Sequence, residues 1–162
     1  NEKKLTDEQA MEKAKTFLKA QNFGNLEETY YYKNDNTITV TFVALEGNGV
    51  LVYPDQMKVK IALDNGDIVG FDAYPYLMAH HQRNIAKPAI TEAQARAKVS
   101  SKVQINRVRL AIIPMPGDRE QLCYEFKGIY NGADYFIYIN ADNGNEENIL
   151  RIIKEANGIL TQ

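Results

Sequence analysis

Few residues of this 162-residue chain are of the types that carry chemistry. The two histidines, His80 and His81, are adjacent. Neighbouring side chains diverge by about 100° on a helix and point to opposite faces of a strand, so the pair is a poor bidentate metal site. Packing in a linker, or solvation, is the reading they support. Asp64 and Asp67 flank the turn Asn65-Gly66, and Asp142 precedes Asn143-Gly144. Aspartates so placed hydrogen-bond their own backbone, and nothing in the sequence isolates either from water as an acid–base pair requires. Cys123, the single cysteine, has no neighbouring His to activate it and reads as a small, half-buried strand residue. There is no phosphate-binding glycine loop, nucleophile elbow or Cys/His cluster. The reading is of a protein that is not an enzyme, with no catalytic residue, metal or cofactor.

Charge gives a sharper pattern. The formal net charge is −2, but residues 78–127 hold 9 Lys and Arg against 4 Asp and Glu, a local excess of +5. Residues 1–77 carry −4 and residues 128–162 carry −3. Arg83, Lys87, Arg96, Lys98, Lys102, Arg107, Arg109 and Arg119 are therefore candidate contacts for an acidic protein or polymer, the alternative being ordinary solvated charges. Nucleic acid is disfavoured, because the chain is acidic overall and its cations are not interleaved with exposed aromatics.

These residues must be positioned by a sheet-rich scaffold. With 44% hydrophobic residues and ten Tyr against no Trp, the chain can bury one medium core or two small ones. After a frayed start over Asn1 to Lys4, Thr6 and Gln9 form a capping box, and Ala10, Ala14, Phe17 and Leu18 make one apolar helical stripe that Gly24 ends. A hairpin follows through Asn34 to Asn36, with Ile38, Val40 and Phe42 inward and the threonines outward. Val59, Ile61 and Leu63 alternate with Lys58 and Lys60, and the Asn65-Gly66 turn, read as type I′, returns the chain through Ile68 to Phe71. Pro75 opens a short helix, and residues 78–88 form a basic, proline-closed linker.

From Ile90 the pattern begins again: Thr91 cap, Gln94 three residues on, and a shorter helix ending near Ser100-Ser101. Tyr135 to Ala141 matches Met57 to Leu63, and Asn143-Gly144 matches Asn65-Gly66. The spacing from cap to the first Asn-Gly is 42 residues in one copy and 40 in the other, and from there to the second 17 against 12. The first copy thus carries an insertion around Val50 to Gln56, in a loop or a strand extension. Residues 149–161, with a turn at Asn157-Gly158, add a hairpin to the second copy. The expectation is an α+β fold of two tandem units, 1–77 and 89–162, each one helix on an antiparallel sheet of about four strands. Phe136 and Tyr138 replace Lys58 and Lys60 in register, so that face is either covered or a partner surface, with cover favoured. All four are secondary contact candidates.

The stretch Leu5 to Ala10 followed by Val59 to Ile68, and its copy from Ile90 through Tyr138 to Gly144, resembles the PepSY domain. Residues 70–81, 110–117 and 123–128 further resemble the C-terminal region of the YpeB family of spore germination proteins. The resemblance implies a noncatalytic interaction module that stabilises, and regulates or inhibits, a SleB-like spore cortex-lytic hydrolase. A peptidoglycan- or small-anion-binding module that retains the complex in the spore envelope is the alternative. It also implies placement on the outer side of the inner spore membrane. No apolar run reaches the ~20 residues that span a bilayer; the start at Asn1 reads as a fragment, and the resemblance implies a membrane segment upstream of it.

Overall fold

The computed structural model describes residues 4–155 and 158–161. The expected fraying at Asn1 and the Asn157 half of the last turn lie outside them. The elements in order are α1 (Asp7–Gln21), β1 (Leu26–Asn34), β2 (Thr37–Glu46), β3 (Val50–Ala62), β4 (Ile68–Asp72), α2 (Tyr74–Ala79), α3 (Glu92–Arg96), β5 (Gln104–Met115), β6 (Arg119–Tyr130), β7 (Ala133–Asn140), β8 (Glu146–Glu155) and β9 (Gly158–Thr161). The fold is α+β, dominated by mostly antiparallel strands.

Two compact units emerge, and neither is contiguous in sequence. Unit 1 is Asn1–Leu45, Asp55–His80 and Lys154–Leu160; unit 2 is Glu46–Pro54, His81–Ile153 and Thr161–Gln162. The insertion read from the spacing is a strand extension: β3 runs unbroken for 13 residues, its first part belonging to unit 2 and its second to unit 1. The expected C-terminal hairpin forms, with β9 beside β8, and its tip Lys154–Leu160 belongs to unit 1, where β9 also pairs with β1 through Tyr31↔Ile159 and Tyr32↔Gly158.

In unit 1 the capping box forms as the sequence dictates. The Thr6 hydroxyl accepts from the Gln9 N–H at 3.2 Å, and the Gln9 side-chain oxygen accepts from the Thr6 N–H at 2.9 Å. Each such cap stabilises a helix by about 1 kcal/mol. Asn22, in the left-handed conformation, ends α1 two residues before the expected Gly24. Asn tolerates that conformation because its short polar side chain hydrogen-bonds locally. Ala10, Ala14 and Leu18 are buried, as are Ile38, Val40, Phe42, Val59, Ile61 and Leu63 on the strands.

Unit 2 repeats the plan around a shorter helix. Thr91 and Gln94 reproduce the capping box, but regular α3 stops at Arg96, short of Ser100-Ser101. Ala95 and Val99 pack with Tyr124, Phe126, Ile137, Ile139 and Ala141. The strands β5, β6, β7 and β8 are antiparallel neighbours, and the first part of β3 joins β5 in parallel through Leu51↔Ala111 and Val52↔Ile112. That parallel pair, made possible by the insertion, adds a strand to the four expected.

The Asn-Gly turns carry the duplication in their geometry. In unit 1 the Gly66 N–H donates to Ala62 O and the Ala62 N–H to Asp67 O, both at 2.9 Å; in unit 2 the Gly144 N–H donates to Asn140 O and the Asn140 N–H to Asn145 O, at 2.9 and 2.8 Å. Only the glycines take positive φ, 81° and 78°, so these turns are not the expected type I′. A four-residue loop needs one left-handed residue at its close, and Gly adopts that conformation without steric cost. Both central residues of Asn131-Gly132, by contrast, have positive φ.

Candidate functional site

The nominated cations fall into different environments. Arg83, in the basic linker, has a side chain only 5% exposed, and its guanidinium grips both oxygens of Glu120 at 2.8 Å and reaches Glu46 at 3.2 Å. A bidentate clamp of this kind fixes the linker rather than presenting a charge to solvent. Arg109 is half-buried opposite Glu125 on the neighbouring strand. Arg96 is exposed, over the Phe126 ring at 5.9 Å and 3.8 Å from Glu92. Arg119 is exposed and donates to the Pro116 carbonyl. Lys87, Lys98, Lys102 and Arg107 are exposed. On unit 1, Lys58 and Lys60 are exposed as their alternation requires.

The aromatic face of unit 2 is covered. Tyr138 is 3% exposed, and its hydroxyl donates to Glu125 Oε2 at 2.8 Å. The Tyr53 hydroxyl donates to the same oxygen, and the Tyr53 and Tyr138 rings meet edge to face. Burial, then the charge of Glu125, raises the Tyr138 phenol well above its ordinary range. Phe136 is half-buried beside Lys127. Sequence reasoning misses Glu125 and Tyr53. The available signals are a glutamate set among Cys123, Tyr124 and Phe126, and a tyrosine inside the insertion.

The turn aspartates serve the turns less directly than expected. Asn65 Oδ1 accepts from the Asp67 N–H at 2.9 Å, and Asn140 Oδ1 accepts from the Asp142 N–H at 2.8 Å. The asparagines thus bind the turn backbone, while Asp67 and Asp142 accept from the amides of Asn65 and Gln121. Cys123 is fully rather than half-buried, and burial pushes its thiol up to about 12, with Glu147 and Asp142 adding to the shift. His80 and His81 diverge as adjacent residues must. His80 stacks on Tyr76 at 4.5 Å with Nδ1 2.6 Å from Oδ2 of the buried Asp55, whereas His81 lies 3.9 Å from Glu120.

That His80 contact clamps α2 in unit 1. Asp72 Oδ1 accepts from the Tyr74 N–H at 2.9 Å, Pro75 sits in the first turn, and Tyr76 is buried against the Phe23 ring at 5.3 Å. Phe23 in turn meets Phe71, which stands edge-on to Phe17 of α1 at 5.1 Å. With its inner side so fixed, α2 presents Tyr74, Leu77 and Met78 to solvent at 68%, 66% and 68% exposure, and β4 adds Val69 and Phe71. Five large apolar residues are thus exposed within ten positions, which solvation alone does not favour. Periodicity does not reveal it, because a six-residue helix is too short to establish an apolar stripe.

A capped helix over antiparallel strands, tied to an Asp-Asn-Gly turn and used twice, defines a PepSY-type protein. Residues 89–150 match the family model described as peptidase propeptide and YPEB domain. Residues 1–86, more than half of the chain, match the model described as YpeB sporulation, PepSY1 and PepSY2 domains, and the chain belongs to this family of sporulation proteins. Neither model describes a catalytic domain. The chain is 38% identical over 149 residues to the sporulation protein YpeB of Halalkalibacterium halodurans, covering 92% of this chain and 33% of that protein. It is 37% identical over 153 residues to that of Bacillus subtilis, covering 93% and 34%. It thus spans about a third of the length of these relatives. The solved structure of the Bacillus megaterium YpeB C-terminal domain superposes with a TM-score of 0.85 at 38% identity, covering 95% of this chain and 68% of that one.

Proposed function

We propose that the chain is a noncatalytic protein-interaction module of a spore germination protein, which stabilises and regulates a SleB-like cortex-lytic hydrolase. The clamped α2 with its exposed Tyr74, Leu77 and Met78 is the observation that supports a protein partner. Interfaces draw their energy from a few apolar and aromatic anchors on rigid elements, and α2 is held from below by Tyr76, His80 and Asp55. The exposed cations of unit 2, Lys87, Arg96, Lys98, Lys102, Arg107 and Arg119, supply long-range attraction to an acidic face of the same partner.

Placement on the outer side of the inner spore membrane, through a segment outside this chain, belongs to the same reading. Among the described residues no helix is long and apolar enough to cross a membrane. The test is co-purification of the chain with a SleB-like hydrolase. Leu77→Glu/Met78→Glu is expected to abolish retention without changing the melting temperature, and Arg107→Glu to weaken it mainly at low salt. Retention on insoluble peptidoglycan with none of the hydrolase bound would replace this reading by the envelope-anchoring one. Cortex-lytic activity of the pure chain would overturn its noncatalytic character.

A further inference from the structure

The outward side of β1, β2 and β3 in unit 1 holds a cleft of about 350 Å³. Tyr30 and Tyr32, whose side chains share this face with their partners Thr41 and Thr39, line it together with Gln56 and Lys58, while the intervening Tyr31 borders it with its side chain turned to the other face, opposite Val40. Its volume falls at the lower end of the range for small-molecule sites, roughly 300–1,000 Å³. Lys58 is the one charged side chain in this lining, and Lys60 is exposed two residues along the same face of β3.

The fold does not demand this composition, because the duplicated unit fills the matching positions differently. There Phe136 and Tyr138 replace Lys58 and Lys60, and Tyr138 is sealed against Glu125. The position matching the cleft's Lys58 is Phe136, half-buried beside Lys127, so unit 1 keeps a cation where unit 2 has an aromatic ring.

We infer that the cleft binds a carboxylate-bearing amino-sugar glycan. The Tyr30 and Tyr32 rings offer flat apolar surfaces for sugar faces, and their hydroxyls can hydrogen-bond to sugar hydroxyls. The hydroxyl of Thr39 and the amide of Gln56 match sugar hydroxyl and acetamido groups, which both donate and accept. Lys58 supplies the charge complement to the carboxylate. An acidic peptide fits less well, since a single ammonium lines the cleft among side chains that are otherwise neutral.

Calorimetric titration of the whole chain with hyaluronan tetrasaccharide, chitotetraose and an end-capped tetraglutamate tests the inference. The first two share acetamido sugars and differ in the carboxylates. Hyaluronan tetrasaccharide is expected to bind several-fold more tightly than chitotetraose. Lys58→Glu and Tyr32→Ala are each expected to weaken it roughly tenfold while leaving the melting temperature unchanged. The inference is overturned if tetraglutamate binds more tightly than the glycan, if chitotetraose binds as well as the charged glycan, if both variants bind like the parent, or if no heat appears at about 10 mM glycan. Leu77 and Met78 do not line the cleft, so the hydrolase test is independent of these outcomes.

Discussion

Glu125 shows how a single buried carboxylate can organise its surroundings without doing chemistry. It is 1% exposed and accepts from two phenols at one oxygen. Removing the acceptor takes a hydrogen bond from both phenols, whereas removing one donor leaves the carboxylate its other phenol, and the loss of more hydrogen bonds among buried groups is the larger cost. Glu125→Ala is therefore expected to lower stability by about 2–4 kcal/mol and Tyr138→Phe by about 1 kcal/mol. Urea denaturation measures both, and equal losses would mean that the two phenols do not share the carboxylate.

Cys123 gives a pH dependence of definite sign. Its folded thiol is raised to about 12 from an ordinary value of 9.0, chiefly by burial. The folded state holds this proton more tightly than the unfolded chain does. The contribution is fully present below pH 9 and is lost as pH rises from about 9 toward 12. Melting temperature is expected to fall over that window, and Cys123→Ala to flatten part of the fall. A thiol reagent at about pH 8 should label the native protein far more slowly than the unfolded one; comparable rates would contradict the burial of the sulfur.

At the scale of elements, the turns and caps are the most legible parts of the sequence, because their residue types answer local backbone needs. Thr6 with Gln9 and Thr91 with Gln94 form the capping boxes that their spacing foretells. The Asn-Gly pairs mark the right turns but not their type, since loop length and hydrogen bonding decide which residue takes the left-handed conformation. The exposed side of α2 and the tyrosine cleft are not legible, because each depends on which neighbours cover a side chain. Arg83 misleads for the same reason: its charge is visible in sequence, but Glu46 and Glu120 lie far from it along the chain.

The duplicated turns allow a paired experiment. A Cβ on Gly66 would lie 2.5 Å from Lys13 Cε, and one on Gly144 would lie 3.3 Å from Lys98 Cε. The nearest contacts are with flexible lysine side chains that can move away, and Leu5 Cδ2, 3.2 Å from the Gly66 Cβ, is the one further tight neighbour, so backbone conformation should dominate in each case with Gly66 the costlier of the two. Gly66→Ala and Gly144→Ala are expected to cost about 1–2 kcal/mol each. Thermal denaturation measures the pair, and a loss confined to one glycine would show that the two turns are not equivalent.

At the scale of the whole molecule, the sequence repeat and the structural units differ in a way that bears on folding. Repeat boundaries follow residue pattern, but pattern does not say which strand a neighbouring strand will accept, and pairing partners distant in sequence leave no local signature. Unit 1 includes β9, which pairs with β1, and Gly158 comes so close that a Cβ there would lie 2.2 Å from Tyr31 O. Unit 2 includes Val50 to Pro54, whose Leu51 and Val52 pair with β5 and whose Tyr53 bonds to Glu125. Each sequence repeat taken alone therefore lacks a strand of its structural unit. Fragments 1–80 and 89–162, produced separately, are expected to show low and poorly cooperative melting, the first exposing an edge at β1 and the second burying Glu125 without Tyr53. Together the two fragments contain both exchanged strands, so recovery of a cooperative transition on mixing is expected. If either fragment alone melts as sharply and as high as the intact chain, the exchanged strands contribute little, and the sequence repeat rather than the structural unit is the folding unit.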